Sequence, residues 1–298
     1  MMLKLQLILT TLLFVFLSTF AVAEDGGCKT LIFKELNHLP HTAESYPFRV
    51  WYATEGKNAV KNTTVIDDLL LQLHTADKYF YQELKLTPPL LQPRYKQAEY
   101  IDVYMVEMKR GNGVAFDEVI AEKGSREADS YSCGIKMHIN SELQPSRNVT
   151  PAHELFHLYQ YANSMFKARW YLEGMARWVE QAFRGVNARD KKGIAPDSCK
   201  DVFDESYTAA RYWRDLAQRQ HAKDIVISQD YLDLNYSDGR PVFATDTFKN
   251  GAAVQAIFDD LAKESHRASL ENDLHIYKWP EKTQRSAQFN EAMCRAIE

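Results

Sequence analysis

The order of predicted strands and helices along the chain is the feature that most restricts its fold. Before Pro145, three segments rich in β-branched and aromatic residues are predicted strands: 47–54, 100–108 and 131–140. In this half only residues 62–86 have apolar side chains three and four positions apart, which predicts a helix. After Pro145 this helical spacing dominates, over residues 151–164, 171–184, 204–219, 248–264 and 282–296. The order predicts an α+β fold, in which a small mixed sheet and a helix pack on a mainly helical C-terminal half.

The N-terminal 23 residues are typical of a signal peptide. Lys4 precedes a long apolar run that ends at Ala21-Val22-Ala23, a small-x-small cleavage pattern. The run is short for a membrane span, and an uncleaved anchor is the alternative. We therefore expect three segments: a signal peptide (1–23), an α+β subdomain with the substrate-side sheet (24–146) and a helical subdomain (147–298). The mature chain is expected to be secreted or periplasmic, with no membrane partner after signal removal.

Charge and cysteine content restrict the chemistry further. The net charge is −4 and no basic stripe is present, so a nucleic-acid partner is not expected. Four cysteines follow the signal peptide, and an even number in an exported chain predicts two disulfides with three possible pairings. The preferred pairing keeps each bridge within one half of the chain: Cys28–Cys133 and Cys199–Cys294. The sequence has no C-x-x-C pair, which argues against zinc bound by cysteine.

The segment TPAHELFHLYQY, residues 150–161, carries the most specific chemical signal. Thr150 is a good N-cap and Pro151 suits the first helical position, so a helix is expected to begin here. On that helix His153 and His157 lie one turn apart on one face, where both imidazoles can reach a single zinc ion. Glu154 lies beside that face, where a general base for a metal-activated water is needed. The alternative is a helix that carries two histidines by chance.

A second segment, WYLEGMARWVE at 170–180, offers the third ligand that a catalytic zinc requires. Glu173 follows His157 by 16 residues, enough for the first helix to end and an antiparallel neighbour to present a carboxylate. The alternative is an exposed i,i+4 pair of Glu173 with Arg177. Glu180 lies two turns beyond Glu173 on the same face and is the candidate partner for the second nitrogen of a ligand histidine, with a plain surface charge as the alternative.

These two segments together resemble the gluzincins, zinc peptidases with H-E-x-x-H and a glutamate ligand on the next helix. The resemblance is nearest to the zinc aminopeptidase branch, whose second element W-x-x-E-G-x-A is matched by Trp170, Glu173, Gly174, Ala176 and the aromatic Trp178. It implies one zinc per chain in a cleft between the two halves. It also implies His153, His157 and Glu173 as ligands, Glu154 as the base and a peptide or protein as the substrate.

Two departures from that branch restrict the expected activity. Its oxyanion-stabilising tyrosine is matched by Phe248, which has no hydroxyl, so the donor is expected elsewhere; the candidates are Tyr207, Tyr231, Tyr236 and His221. The G-x-M-E-N segment that holds a substrate's free amine is missing from residues 131–145. We therefore expect an endopeptidase. The alternatives are a secreted zinc-binding protein with little or no catalytic activity and a structural protein with an accidental motif.

Overall fold

A seven-stranded mixed sheet forms the centre of the N-terminal half. The computed structural model describes residues 28–123, 132–186 and 196–298, so the predicted signal peptide lies outside the described residues. The strand order is β1-β6-β7-β4-β3-β2, and β5 also pairs with β7. The strands are β1 Lys29–Ile32, β2 His41–Ser45, β3 Phe48–Tyr52, β4 Tyr100–Val106, β5 Gly113–Ala115, β6 Ile120–Lys123 and β7 Gly134–Asn140.

The sheet is mixed because its central pairs are parallel and several outer pairs are antiparallel. β3, β4 and β7 run parallel, with Val50 opposite Val103 and Val103 opposite Met137. β2 pairs antiparallel with β3, and β5 pairs antiparallel with β7. Alternate residues of the central strands, such as Val50, Val103 and Met137, are apolar and fully buried, as expected for a sheet face that packs on helices.

Helices cover this face and make up most of the C-terminal half. α1 (Thr64–Gln82) and α2 (Thr150–Asn163) pack on each other, for example through Phe80 and Phe156, whose ring centroids are 5.3 Å apart. The others are α3 Arg169–Val179, α4 Gln181–Arg184, α5 Ala210–Arg219, α6 Gln229–Leu232, α7 Ala253–Glu271, α8 Glu281–Gln284 and α9 Asn290–Ile297. A short antiparallel pair, β8 (Ile225–Val226) and β9 (Thr247–Phe248), lies among them. The predicted fold class is confirmed.

One large apolar core runs through both halves of the chain. It includes Val103 and Met137 from the sheet as well as Trp170 and Phe258 from the helices. A second, smaller cluster around Trp51 and Tyr104 covers the opposite face of the sheet. The division at residues 146 and 147 stays a prediction.

Both disulfides have the preferred pairing. Cys28 is joined to Cys133 and Cys199 to Cys294, with Cα–Cα distances of 5.9 and 5.8 Å. The first bridge fixes the start of β1 beside the start of β7, and the second joins the segment before α5 to α9. Within the described residues, no helix is both long and apolar enough to cross a membrane.

One local prediction needs correction. Thr150 was expected to cap α2, but it is the first residue of the helix. The capping acceptor is the Asn148 side-chain oxygen, which accepts from the Thr150 backbone N–H and hydroxyl at 2.9 and 2.7 Å.

Candidate metal centre

α2 holds the two histidines in a buried and fixed position. Every residue from Pro151 to Ala162 is buried, so the helix has core on nearly all sides. Gln72 of α1 fixes its start: its Oε1 accepts from the Ala152 backbone N–H, and its Nε2 donates to the carbonyl of Pro145 at 2.9 Å. His153 and His157 are therefore presented by a helix whose register and position are both restrained.

α3 brings Glu173 to the same point from the neighbouring helix. Its Oε2 lies 3.3 Å from His153 Nε2 and 3.5 Å from His157 Nε2. Ligands bound at ~2.0–2.1 Å to a tetrahedral zinc lie roughly 3.3 Å from one another. Both distances from Glu173 Oε2 thus match the spacing of zinc ligands, and the three donor atoms all lie within 4.8 Å of one another, so the residues fit this ion.

The other nitrogen of each imidazole has an acceptor. His153 Nδ1 lies 2.8 Å from Glu180 Oε2, and His157 Nδ1 lies 2.8 Å from Gln160 Oε1. Gln160 presents its oxygen to His157 because its Nε2 donates to the carbonyls of Tyr171 and Leu172 in α3. With both Nδ1 atoms protonated, both Nε2 atoms keep their lone pairs for a metal.

Glu180 lies at the junction of α3 and α4 and is held by two arginines. Its Oε1 accepts from Arg177 and from Arg184 Nε, the latter at 2.7 Å, while its Oε2 contacts His153. Burial raises the pKa of this carboxyl, but the hydrogen bond and charge of His153 and the two guanidinium groups lower it further, so the net shift is downward. Glu180 therefore stays ionised beside His153, as predicted for the partner of a ligand histidine.

In the metal-free centre, the neighbouring charges strongly shift the pKa values of His153 and Glu173. Burial lowers the pKa of His153, yet hydrogen bonds with Glu173 and Glu180 outweigh it and raise this pKa to about 10. Burial also raises the pKa of Glu173, but the two histidines hold it well below its usual range. Without a bound cation, the His153 ring is therefore protonated on both nitrogens and lies between two carboxylates. A divalent cation bound at Nε2 would replace the proton that faces Glu173, while the Nδ1 hydrogen would remain bonded to Glu180.

Glu154 is buried next to this cluster. Burial is the largest cause of its raised pKa, which the nearby histidines and a backbone hydrogen bond from Ala115 reduce only in part. A carboxyl with a raised pKa is suited to accept and return a proton near neutral pH. The predicted base therefore lies beside the predicted ligands without being one of the three clustered donors.

Of the four predicted oxyanion donors, the structure brings Tyr207 to the cluster. Its hydroxyl donates to Glu173, and its ring centroid lies 5.8 Å from that of His153. Tyr231 packs against Phe243, Tyr236 accepts from Gln72 Nε2 at 2.6 Å, and the exposed His221 follows the end of α5. Phe248 is buried against Trp178, with a centroid distance of 5.3 Å. The Tyr207 residue is about half exposed.

Some residues of this site were not anticipated from the sequence. Gln160 and the backbone of β5 were missed, because their roles depend on which elements meet in space. Arg184 had a detectable signal, since it lies four residues after Glu180 on a helical segment. A comparison of the chain with protein-family models, curated proteins and solved structures finds no match.

Proposed function

We propose that this chain is an exported zinc-dependent metallopeptidase that cleaves within peptide chains. The observation that carries the proposal is the spacing of three donor atoms: Glu173 Oε2 lies 3.3 and 3.5 Å from the Nε2 atoms of His153 and His157. Two independent features support it. Both Nδ1 atoms have acceptors at 2.8 Å, and a carboxyl with a raised pKa lies alongside.

Each residue of the site has one role in the proposed reaction. His153, His157 and Glu173 would hold the zinc ion, which when bound lowers the pKa of a water toward ~7 and polarises the substrate carbonyl. Glu154 accepts the proton of the attacking water and returns it to the leaving amine. The Tyr207 hydroxyl, released from Glu173 when that carboxylate holds the metal, would donate a hydrogen bond to the carbonyl oxygen as negative charge develops there. Glu180 and Gln160 keep the two imidazoles oriented.

Replacement of Glu154 tests the proposal directly. We expect Glu154→Gln to retain about one zinc per chain, since Glu154 is not a ligand, and to lose hydrolysis of a denatured protein substrate. Metal content is measured by elemental analysis and cleavage by the appearance of chelator-sensitive fragments. A Glu154→Gln protein that cleaves at the wild-type rate would refute the proposal.

The second candidate function is a secreted zinc-binding protein with little or no catalytic activity. It is motivated by Phe248, which is buried against Trp178 and offers no hydroxyl. Tyr207 weighs against it, because this half-exposed residue already places a hydroxyl at the cluster. Stoichiometric zinc without fragments from a diverse set of denatured proteins would favour the binding function. A chain without stoichiometric zinc would exclude both functions.

The proposal that the protein is exported rests on separate observations. The N-terminal sequence has the charge, apolar run and small-x-small pattern of a signal peptide, and the two disulfides are compatible with an oxidising compartment. We propose a secreted or periplasmic location. Mass spectrometry of the protein from its host tests this, and a mature N-terminus at Glu24 is the expected result.

A further inference from the structure

We propose that the backbone of β5 positions the general base, with Gly113 and Ala115 as the two positioning residues. The inference rests on the proposed function, since it concerns the carboxylate that would move the proton. It is carried by the close approach of β5 to α2 and by the direction of one backbone N–H group.

Gly113 lies where the strand crosses Glu154. A Cβ atom at this position would lie 2.6 Å from Glu154 Cγ and 2.6 Å from Thr150 Cγ2, and 3.0 Å from Glu154 Oε1. Real Cβ atoms do not approach carbon so closely, so a side chain here would displace Glu154, Thr150 or the strand. The reason for glycine is therefore lack of space beside the base.

Ala115 supplies a hydrogen bond to the same carboxylate. Main-chain bonds join Phe116 N to the Lys136 carbonyl and Asn140 N to the Asn112 carbonyl at the two ends of the β5–β7 ladder. Antiparallel pairs alternate, so the N–H of Ala115 points away from β7. It donates to Glu154 instead. The strand thus restrains the base sterically at Gly113 and by a donor at Ala115.

The neighbours of β5 hold it in place, which explains why these contacts are stable. β5 is only three residues long, but β7 beside it has Met137 and Ile139 buried in the main core. On the other side α2 is buried along its length. Glu154 belongs to α2 and faces β5, and the core fixes both elements. Its carboxylate therefore has a defined position before any substrate binds.

Gly113→Ala is the first test. We expect the variant to fold, to bind zinc within about threefold of wild type, and to lose about 100-fold in kcat with little change in KM, as a base misplaced by about 1 Å would. Val114→Ala is the matched control, because the side chain of Val114 is on the opposite face of the same strand. It should behave like wild type in all three measurements.

Two further variants separate positioning from damage to the strand. Adding Thr150→Ser to Gly113→Ala removes the crowded Cγ2 but keeps the hydroxyl that bonds Asn148, so part of the lost kcat should return. Ala115→Pro removes the donor to Glu154 without removing a ladder bond, and should lower kcat while zinc affinity is kept. A merely structural role for β5 predicts instead that stability and zinc affinity fall together with kcat in Gly113→Ala.

A crystal structure of metal-free Gly113→Ala gives a readout that does not depend on activity. The expected result is a Glu154 carboxylate displaced by about 1 Å from its wild-type position. An unmoved carboxylate, or a folded variant with wild-type kcat, overturns the inference. Failure of the proposed function appears differently, as a wild-type protein without zinc or hydrolysis. The crystallographic comparison still decides the role of β5 in that case.

Discussion

Glu173 and Glu180 contact opposite nitrogens of the same imidazole, and this difference defines their roles. Glu173 Oε2 lies 3.3 Å from His153 Nε2, the nitrogen available to a metal, whereas Glu180 Oε2 lies 2.8 Å from Nδ1. Under the proposed function, removal of the first would take away a ligand. Removal of the second would leave three ligands but free the ring of His153 to rotate and lower its basicity.

We therefore predict that Glu173→Ala weakens zinc binding severely, and that Glu180→Ala weakens it by ~10–100-fold. Both affinities are measured by competition with a calibrated chelator, after circular dichroism has confirmed that each variant is folded. If Glu173→Ala binds zinc as tightly as wild type, the assignment of the third ligand is wrong.

The oxyanion role proposed for Tyr207 is tested by removal of its hydroxyl. In Tyr207→Phe we expect kcat to fall by about 10²–10³-fold, because a donor to the developing oxyanion is lost, with zinc still bound. Tyr231→Phe is the matched control, since Tyr231 packs in an aromatic cluster with Tyr79 and Phe243. Steady-state kinetics on one peptide substrate measure both variants. Equal kcat values for Tyr207→Phe and wild type would show that the oxyanion donor is another group.

Local spacing made part of this site predictable. His153, Glu154 and His157 are fixed relative to one another by the helical repeat, and Glu173 and Glu180 share a face of the next helix for the same reason. Tyr207 was one of four candidate oxyanion donors, and nothing in the sequence favoured it over the other three. It lies 34 residues after Glu173, and its approach depends on how α3 packs on the turn that contains it.

Gly174 determines that packing between elements. A Cβ atom at Gly174 would lie 2.7 Å from Ala209 Cβ, at the end of the short 3-10 turn Tyr207–Ala209. Glycine inside a helix costs about 1 kcal/mol relative to alanine, so its presence in α3 needs a compensating gain. The gain is the close approach of this turn, which brings Tyr207 to Glu173.

We predict that Gly174→Ala destabilises the protein by about 1–3 kcal/mol, the usual cost of overpacking, and also lowers kcat by moving Tyr207. Urea unfolding and steady-state kinetics measure the two effects. Adding Ala209→Gly removes the clashing methyl group and should restore part of both losses. If the double variant is no better than Gly174→Ala, the contact with Ala209 is not the cause.

The elements that the sequence missed share a physical reason. β5 follows Gly111 and begins at Gly113, and glycine weakens a strand locally, so β5 exists because β7 supplies the pairing partner. β1 pairs in parallel with β6, and the disulfide between Cys28 and Cys133 fixes its start. Such strands are stabilised by residues far away in the chain, so local propensity does not identify them. α1 and α2 were predictable because their apolar faces repeat with the helical period.

At the scale of the whole molecule, the separation of strands and helices along the chain was enough to predict the fold class, but not the strand order. A buried ionic cluster joins the two halves near the candidate metal centre. Asp117, two residues after β5, accepts from Arg94 and lies 2.8 Å from Lys167 Nζ, and Lys167 also pairs with Glu281 of α8. The side chains of Asp117, Arg94 and Lys167 are each 11% exposed or less, so solvent screens these charges little.

The charge of Asp117 should therefore contribute to stability in a pH-dependent way. Burial raises the pKa of its carboxyl, but the charges of Arg94 and Lys167 and their hydrogen bonds lower it further, so the folded protein has a lower pKa than the unfolded chain. The unfolded chain then binds a proton more readily. This contribution is complete above the unfolded pKa of ~3.9 and is lost as the pH falls through the folded value.

We predict that Asp117→Asn lowers the free energy of unfolding by about 3 kcal/mol at pH 7, because two buried cations lose a shared anion. The difference from wild type should shrink as the pH falls below ~3.9, where the unfolded chain binds a proton at Asp117, and it is lost below the lower pKa of the folded protein. Urea unfolding of the metal-free proteins at several pH values measures it, and protonation of the histidines cancels because both proteins share them. Asp224→Asn, in the exposed pair of Asp224 with Lys249, is the control and should show no measurable change. A difference between Asp117→Asn and wild type that is equally large at pH 7 and pH 3 would mean that the charge of Asp117 does not stabilise the junction of the two halves.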